Sequence, residues 1–285
     1  MNICYLIESI PGHLPHLLPL YKSLGGVLTS SSEQVLSVLI KNGYKVIPYE
    51  ALKYIHNIIV AHQCNLKDIC SNSNIIQVFH GVSDKTYYYL SHLPDHYDYL
   101  IFQYPEARTS WLSVYPEYVE KAYQANHTKA SCYLQETPTS PEDYILYCPT
   151  WKSAEISEEL KGAKEINELG MRHKIKVHLH PATNKETLQI LDNCEILFES
   201  EYLEDELKKA RLLISDFSSM AYEFTLTRKP IILIKNSMIK PKLADYCPWI
   251  DPSELEATIE NISTQNYPHL FYEEDIREVV KRCLK

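Results

Sequence analysis

The chain has 285 residues and is 45% hydrophobic, longer than the ~100–150 residues of a usual single domain, so two domains of similar size are expected. With 7 Gly and 16 Pro it is neither collagen-like nor low in complexity. A formal net charge of −9, from 37 acidic and 28 basic residues without a basic run, argues against a sequence-independent nucleic-acid binder.

From the amino terminus, Ile3–Ile7 reads as a first strand and Pro15–Leu24 as the helix after it. The opening run has no basic leader and is too short for a signal peptide, and nothing nears the ~20 apolar residues that span a bilayer. A cytoplasmic protein with at most peripheral membrane contact is expected. Gly26–Thr29, Lys45–Pro48, Ile58–Ala61 and Ile75–His80 read as further strands. Ser32–Lys41 carries apolar residues at Val35, Leu36, Leu39 and Ile40, a helical stripe closed by Asn42-Gly43. Tyr99–Gln103 reads as a strand and Trp111–Gln124 as one helix whose stripe includes Tyr115, Tyr118, Val119 and Tyr123. This alternation predicts a doubly wound, largely parallel sheet.

Two prolines among small polar residues, Thr137-Pro138-Thr139-Ser140-Pro141, interrupt the pattern as a linker does. Strands then come at Tyr144–Cys148, Lys174–Leu179, Glu195–Phe198, Leu212–Ser215 and Pro230–Ile234. Helices are read at Ile156–Leu169, Lys185–Leu191, Leu203–Ala210, Ser218–Leu226 and Glu273–Lys285. The expected domains are residues 1–138 and 139–285, with the last helix free to pack back on the first domain. Two such domains place a ligand where the carboxyl ends of their strands face each other. The eight cysteines are scattered without a C-x-x-C pair, as buried thiols of a reducing compartment would be.

Four segments at strand ends carry candidate chemistry. Leu212–Ser215 delivers Asp216-Phe217-Ser218-Ser219 onto a helix whose unpaired N–H groups, with both hydroxyls, would hold a phosphate. Capping by Asp216 or Ser218 would explain the same residues without a ligand. His80, at the end of Ile75–His80 and before Gly81, is suited by its ordinary pKa of ~6.5 to take a proton from an alcohol, with Lys85 nearby in sequence. A loop histidine satisfied by backbone is the plain alternative. In Val177-His178-Leu179-His180-Pro181, alternation puts His178 and His180 on one side of a strand, and Pro181 fixes the turn that aims His180. No third ligand stands at a familiar spacing, so neither a metal nor a cofactor is expected. Cys148-Pro149-Thr150-Trp151-Lys152 would let Thr150 and Lys152 reach a diphosphate. No G-x-G-x-x-G or Walker loop is present, which argues against a dinucleotide-dependent oxidoreductase and an ordinary kinase.

Taken in order, His80-Gly81 with Lys85, Pro149-Thr150-Trp151-Lys152, His180-Pro181, and Ser215-Asp216-Phe217-Ser218-Ser219 with Glu223 resemble the CDP-glycerol glycerophosphotransferase family of teichoic-acid and capsule polymerases and primases. Gly12-His13-Leu14 through Leu20 adds an amino-terminal echo. The resemblance implies an α/β, GT-B-like fold of two Rossmann-like domains, the first on the acceptor side and the second binding the donor nucleotide. It implies that His80 and His180 are catalytic, and that Gly81, Lys85, Thr150, Lys152, Pro181, Asp216, Ser218, Ser219 and Glu223 bind the donor and its phosphates. The implied partners are a CDP-alcohol donor and a sugar or polyol-phosphate acceptor, lipid-linked or free. The reaction would move glycerol phosphate, or a related polyol phosphate, to an acceptor hydroxyl and release CMP. This chain has Val82-Ser83 where the family often has Thr-Pro, Lys152 for arginine, His178 for lysine and Glu223 for aspartate. Two alternatives stand beside it: a CMP-sugar glycosyltransferase of the sialyl or Kdo type, and a non-catalytic nucleotide-sugar-binding protein.

Overall fold

The protein's structure is a computed structural model that describes residues 2–80, 86–130, 142–150, 162–179, 189–197, 203–235, 240–263, 267 and 270–285. The chain divides into two compact units, one of Met1–Cys132 with His269–Lys285, the other of Tyr133–Pro268. The expected boundary at 138/139 lies outside the described residues.

The first unit contains β1 (Ile3–Leu6), α1 (Ile10–Leu24), β2 (Val27–Thr29), α2 (Glu33–Lys41), β3 (Asn57–Val60), β4 (Asn74–Gln77), α3 (Thr86–Leu90), β5 (Tyr99–Phe102), α4 (Pro105–Val114) and β6 (Ala122–Gln124). Its strands form one sheet in the order β2-β1-β3-β4-β5-β6, every pairing parallel. β1, β3 and β4 are buried along their whole length, as a parallel sheet covered on both faces requires. The order reverses between β1 and β3, and a ligand crevice forms at such a switch point.

Three readings of this half need correction. The first helix starts at Ile10 rather than Pro15, because Ser9 caps it by accepting from the Gly12 amide at 3.2 Å. Pro15 and Pro19 then sit inside the helix. The strand read at Lys45–Pro48 is only an isolated bridge, Val46 to Leu28. The single helix read over Trp111–Gln124 is three elements: the end of α4, a 3-10 turn at Pro116–Lys121, and β6. Pro116 has no amide proton to continue the helix and restricts Tyr115 before it. The stripe is split accordingly, with Trp111 buried and Val119 exposed.

The second unit contains β7 (Ile145–Cys148), α5 (Ala163–Gly170), β8 (Ile175–His178), β9 (Glu195–Leu197), α6 (Leu203–Lys209), β10 (Leu212–Ser215), α7 (Ser219–Phe224), β11 (Ile231–Ile234), β12 (Trp249–Ile250) and α8 (Leu255–Asn261). Its sheet runs β12-β11-β10-β7-β8-β9, again wholly parallel. This is the doubly wound order of nucleotide-binding sheets, with its switch point between β7 and β10. Ile145, Tyr147, Val177, Ile214 and Ile232 form the middle of its core, under Ile166 and Leu169 of α5.

The chain then returns to the first unit as α9 (Ile276–Cys283). Ile276, Val279, Val280 and Cys283 are buried in the same cluster as Ile59, Ile76 and Ile101. Polar ties fix the helix at both ends. The Ile276 amide donates to Asn126 Oδ1 at 3.0 Å, and Asn74 Nδ2 donates to the Cys283 carbonyl at 2.6 Å.

Candidate active site

At the carboxyl edge of the first sheet, β4 passes through Phe79 into His80. Phe79 is left-handed, with φ 56°, a conformation that costs an aromatic residue free energy and persists only where its surroundings enforce it. Here they do. Its ring packs edge-on against His92 (centroids 4.8 Å apart) and Tyr89 (5.3 Å), and lies 4.9 Å from Phe102, while its amide donates to Gln77 Oε1 at 3.1 Å. The reversal turns the half-buried His80 side chain back towards the end of β3.

The His80 ring nitrogen Nδ1 lies 2.5 Å from the Ala61 carbonyl and 2.9 Å from the Tyr88 hydroxyl. A carbonyl can only accept, so Nδ1 carries the proton. The Tyr88 hydroxyl can donate to the same carbonyl, 3.3 Å away. Nε2 is therefore left with its lone pair. Burial holds the ring below its ordinary pKa of 6.5, opposed by the bond to Ala61. His80 is thus a neutral imidazole with a basic nitrogen at Nε2, the form a general base needs.

Other histidines crowd the same edge. His13, in the first turn of α1, stacks on His62 at 4.6 Å and 13°, and its ring is 5.0 Å from that of His80. His16 lies 6.3 Å from His80 and 5.8 Å from His127. Burial first, and mutual repulsion second, push the His13 pKa down to about 2. His13 and His16 belong to the amino-terminal segment that the sequence singled out. His62 and His127 follow β3 and β6, with no spacing to connect them. No group of three or more metal-ligating side chains forms among the described residues.

In the second unit the switch point is closed by one carboxylate. Asp216, after β10, accepts at Oδ1 from both the Thr150 amide (2.7 Å) and the Thr150 hydroxyl (2.6 Å), after β7. Ser215 ties the same two strand ends, its hydroxyl donating to the Cys148 carbonyl at 2.6 Å. Ser218 caps α7 through the Met220 amide at 3.3 Å, and Ser219 opens the helix. Glu223 is buried on α7. Thr150, Asp216, Ser218, Ser219 and Glu223 are therefore brought together at one sheet edge, and His80 stands at the equivalent edge of the first unit. Gly81, Lys85, Lys152, His180 and Pro181 lie outside the described residues.

The family described as CDP-glycerol:poly(glycerophosphate) glycerophosphotransferase matches residues 70–238. The chain belongs to that family. The matched span contains every residue from His80 to Glu223 discussed above, whereas His13 and His62 precede it. A teichoic acid glycerol-phosphate primase of Bacillus subtilis (strain 168) is 33% identical over 99 residues, 31% of this chain and 24% of that protein. The chain thus aligns with about a quarter of that family relative's length. Among solved structures, the wall teichoic acid polymerase TagF is similar with a TM-score of 0.62 at 15% identity, covering 91% of this chain and 79% of that one. A UDP-GlcNAc 2-epimerase of Methanocaldococcus jannaschii gives 0.65 at 15% identity, over 99% of both chains. At such identities the likeness is one of fold, and it is the GT-B-like α/β fold expected for this family. Among the described residues no helix is long and apolar enough to cross a membrane.

Proposed function

We propose that the chain transfers glycerol phosphate, or a related polyol phosphate, from a CDP-activated donor to an acceptor hydroxyl, releasing CMP, in the synthesis of a cell-surface polymer. The observation that carries this reading is the tautomer of His80, a neutral ring with Nδ1 committed to Ala61 and a free Nε2. An attacking hydroxyl gives its proton to Nε2 as its oxygen bonds to the β-phosphorus. The bond from that phosphorus to the bridging oxygen breaks, and CMP departs with the electron pair. Ser219 and the start of α7 face the charge on the diphosphate, and Asp216 holds Thr150 in place beside them. Lys152 and Lys85 supply positive charge, and His180 assists the departing CMP. Phosphoryl transfer asks chiefly for such positioning and electrostatic stabilisation.

The family match and the fold shared with TagF, a variant of which was soaked with CDPG, support a CDP-alcohol as donor. The test is incubation with CDP-glycerol, CDP-ribitol and CMP-sialic acid in turn, following CMP release in the presence of a polyol-phosphate acceptor. Release from a CDP-alcohol alone is the expected result. Release from the CMP-sugar alone would assign a glycosyltransferase, and binding without release a nucleotide-sugar-binding protein.

A further inference from the structure

We infer that His13 is an acceptor-binding residue, donating a hydrogen bond from Nε2 to an oxygen next to the hydroxyl that His80 deprotonates. The inference rests on the transferase reading above and concerns only the first unit. Three half-buried imidazoles, His13, His62 and His80, stand after β1, β3 and β4, around the point where the strand order reverses between β1 and β3. That is where an open parallel sheet presents its ligand crevice.

The chemistry of the two rings nearest the reaction is complementary. The Glu8 amide donates to His13 Nδ1 at 3.3 Å, so Nδ1 holds a lone pair and the proton of the neutral ring sits on Nε2, on the opposite edge. His80 has the reverse tautomer, with its proton on Nδ1 and its lone pair on Nε2. One ring offers a donor and its neighbour, 5.0 Å away between centroids, offers an acceptor. His13 Nε2 has no hydrogen-bond partner among the described residues. The ring is held from behind by its stack on His62 and from below by α1, whose Ser9 cap fixes the first turn. Its neutrality is built in as well, since it is buried beside two other imidazoles.

A polyol phosphate fits this pair. Its attacking hydroxyl donates to His80, and a neighbouring hydroxyl or phosphate oxygen accepts from His13. A simple alcohol has only the first group. The site would therefore select acceptors with an oxygen on the carbon adjacent to the one that bears the nucleophile, three bonds from it.

The test uses the full chain, CDP-glycerol as donor and glycerol 3-phosphate as acceptor, with His13→Phe and His13→Gln. Phenylalanine keeps the stack on His62 and removes the donor, whereas the glutamine amide can place an N–H near the Nε2 position. The Phe variant should raise the acceptor KM about tenfold, the loss expected for one hydrogen bond of ~1.4 kcal/mol, with the donor KM unchanged. The Gln variant should recover most of that loss. An unchanged acceptor KM in the Phe variant, or equal loss in both variants, would overturn the assignment. If the wild type releases no CMP, the transferase reading fails by itself. The His13 assignment is then decided by nitrogen-15 spectra of the histidines during titration with glycerol 3-phosphate. A shift of the His13 Nε2 signal, absent in the Phe variant, supports it, and no shift overturns it.

Discussion

Asp216 holds Thr150 with a single oxygen: Oδ1 accepts from both its amide and its hydroxyl, across 66 residues of sequence. The bond spans the switch point of the second sheet, so the loop after β7 takes its starting position from a residue after β10. Asp216→Ala should release that loop, raising the donor KM and lowering the melting temperature together, since hydrogen bonds to a charged group are worth ~1.5–3 kcal/mol each. Asp216→Asn keeps an Oδ1 that can accept both bonds, so it should recover most of the stability and of the donor KM. Calorimetric melting and a donor titration on both variants check this. Equal defects in the two would mean that charge, and not the clamp, is what matters.

His80→Ala should reduce transfer by ~10²–10⁴ with donor affinity little changed, the usual consequence of removing a general base. In the wild type, the acid limb of kcat/KM should lie below pH 6.5. Burial lowers the His80 pKa, so the ring stays in its basic form until the pH falls past that depressed value. A pH–rate profile reads both points, and a limb above 6.5 would remove His80 from the role.

Ser218 and Ser219 should separate by effect. Ser218 spends its hydroxyl on the Met220 amide, so Ser218→Ala should cost about 1 kcal/mol of stability, the usual loss of an N-cap. Ser219→Ala removes no cap and should weaken binding of CDP-glycerol at an unchanged melting temperature. Titration with CDP-glycerol and CMP for each variant decides it. Unchanged affinity for both ligands in Ser219→Ala would exclude this serine from the phosphates.

His92 makes the stability of the first unit depend on pH. The ring is buried, its Nδ1 bonds to the Tyr88 carbonyl at 2.8 Å, and its pKa is pushed down from 6.5 to about 4, chiefly by burial. The folded form therefore refuses a proton that the unfolded chain accepts below pH 6.5. Stability is complete above that pH and declines as the pH falls through the window to 4, by about 3 kcal/mol at its lower end. His92→Phe should lose less between pH 7 and pH 5 than the wild type in urea titrations of the first unit, followed by Trp111. Identical pH slopes would contradict it.

Much of this was legible because period and punctuation are local. Ile3–Leu6, Leu212–Ser215 and Ile231–Ile234 announce buried parallel strands as short apolar runs, and a residue just past a strand's carboxyl end has few places to go. Hence His80, Thr150 and Asp216 could be put at sheet edges before any coordinates. Partnerships were not legible. Nothing in the residue types says that Asp216 spends its carboxylate on Thr150, or that Ser218 and not Asp216 caps α7. The stacked His13 and His62 belong to turns 49 residues apart, joined only when β1 and β3 pair. Edge strands were the weak point of the fold itself. β6 and β12 are two or three residues long with little alternation, and β6 was hidden behind a proline in a stripe that keeps helical spacing.

The return of α9 to the first unit gives the chain an order of assembly opposite to its order of synthesis. Residues 133–268 are a continuous segment with a core of their own, and can fold once they emerge. The first unit, though made earlier, must wait with Ile59, Ile76 and Ile101 uncovered until Ile276, Val279, Val280 and Cys283 arrive to close it. The histidine-bearing sheet edge is thus assembled last. A chain stopped at 268 would carry a finished second sheet attached to an open first one.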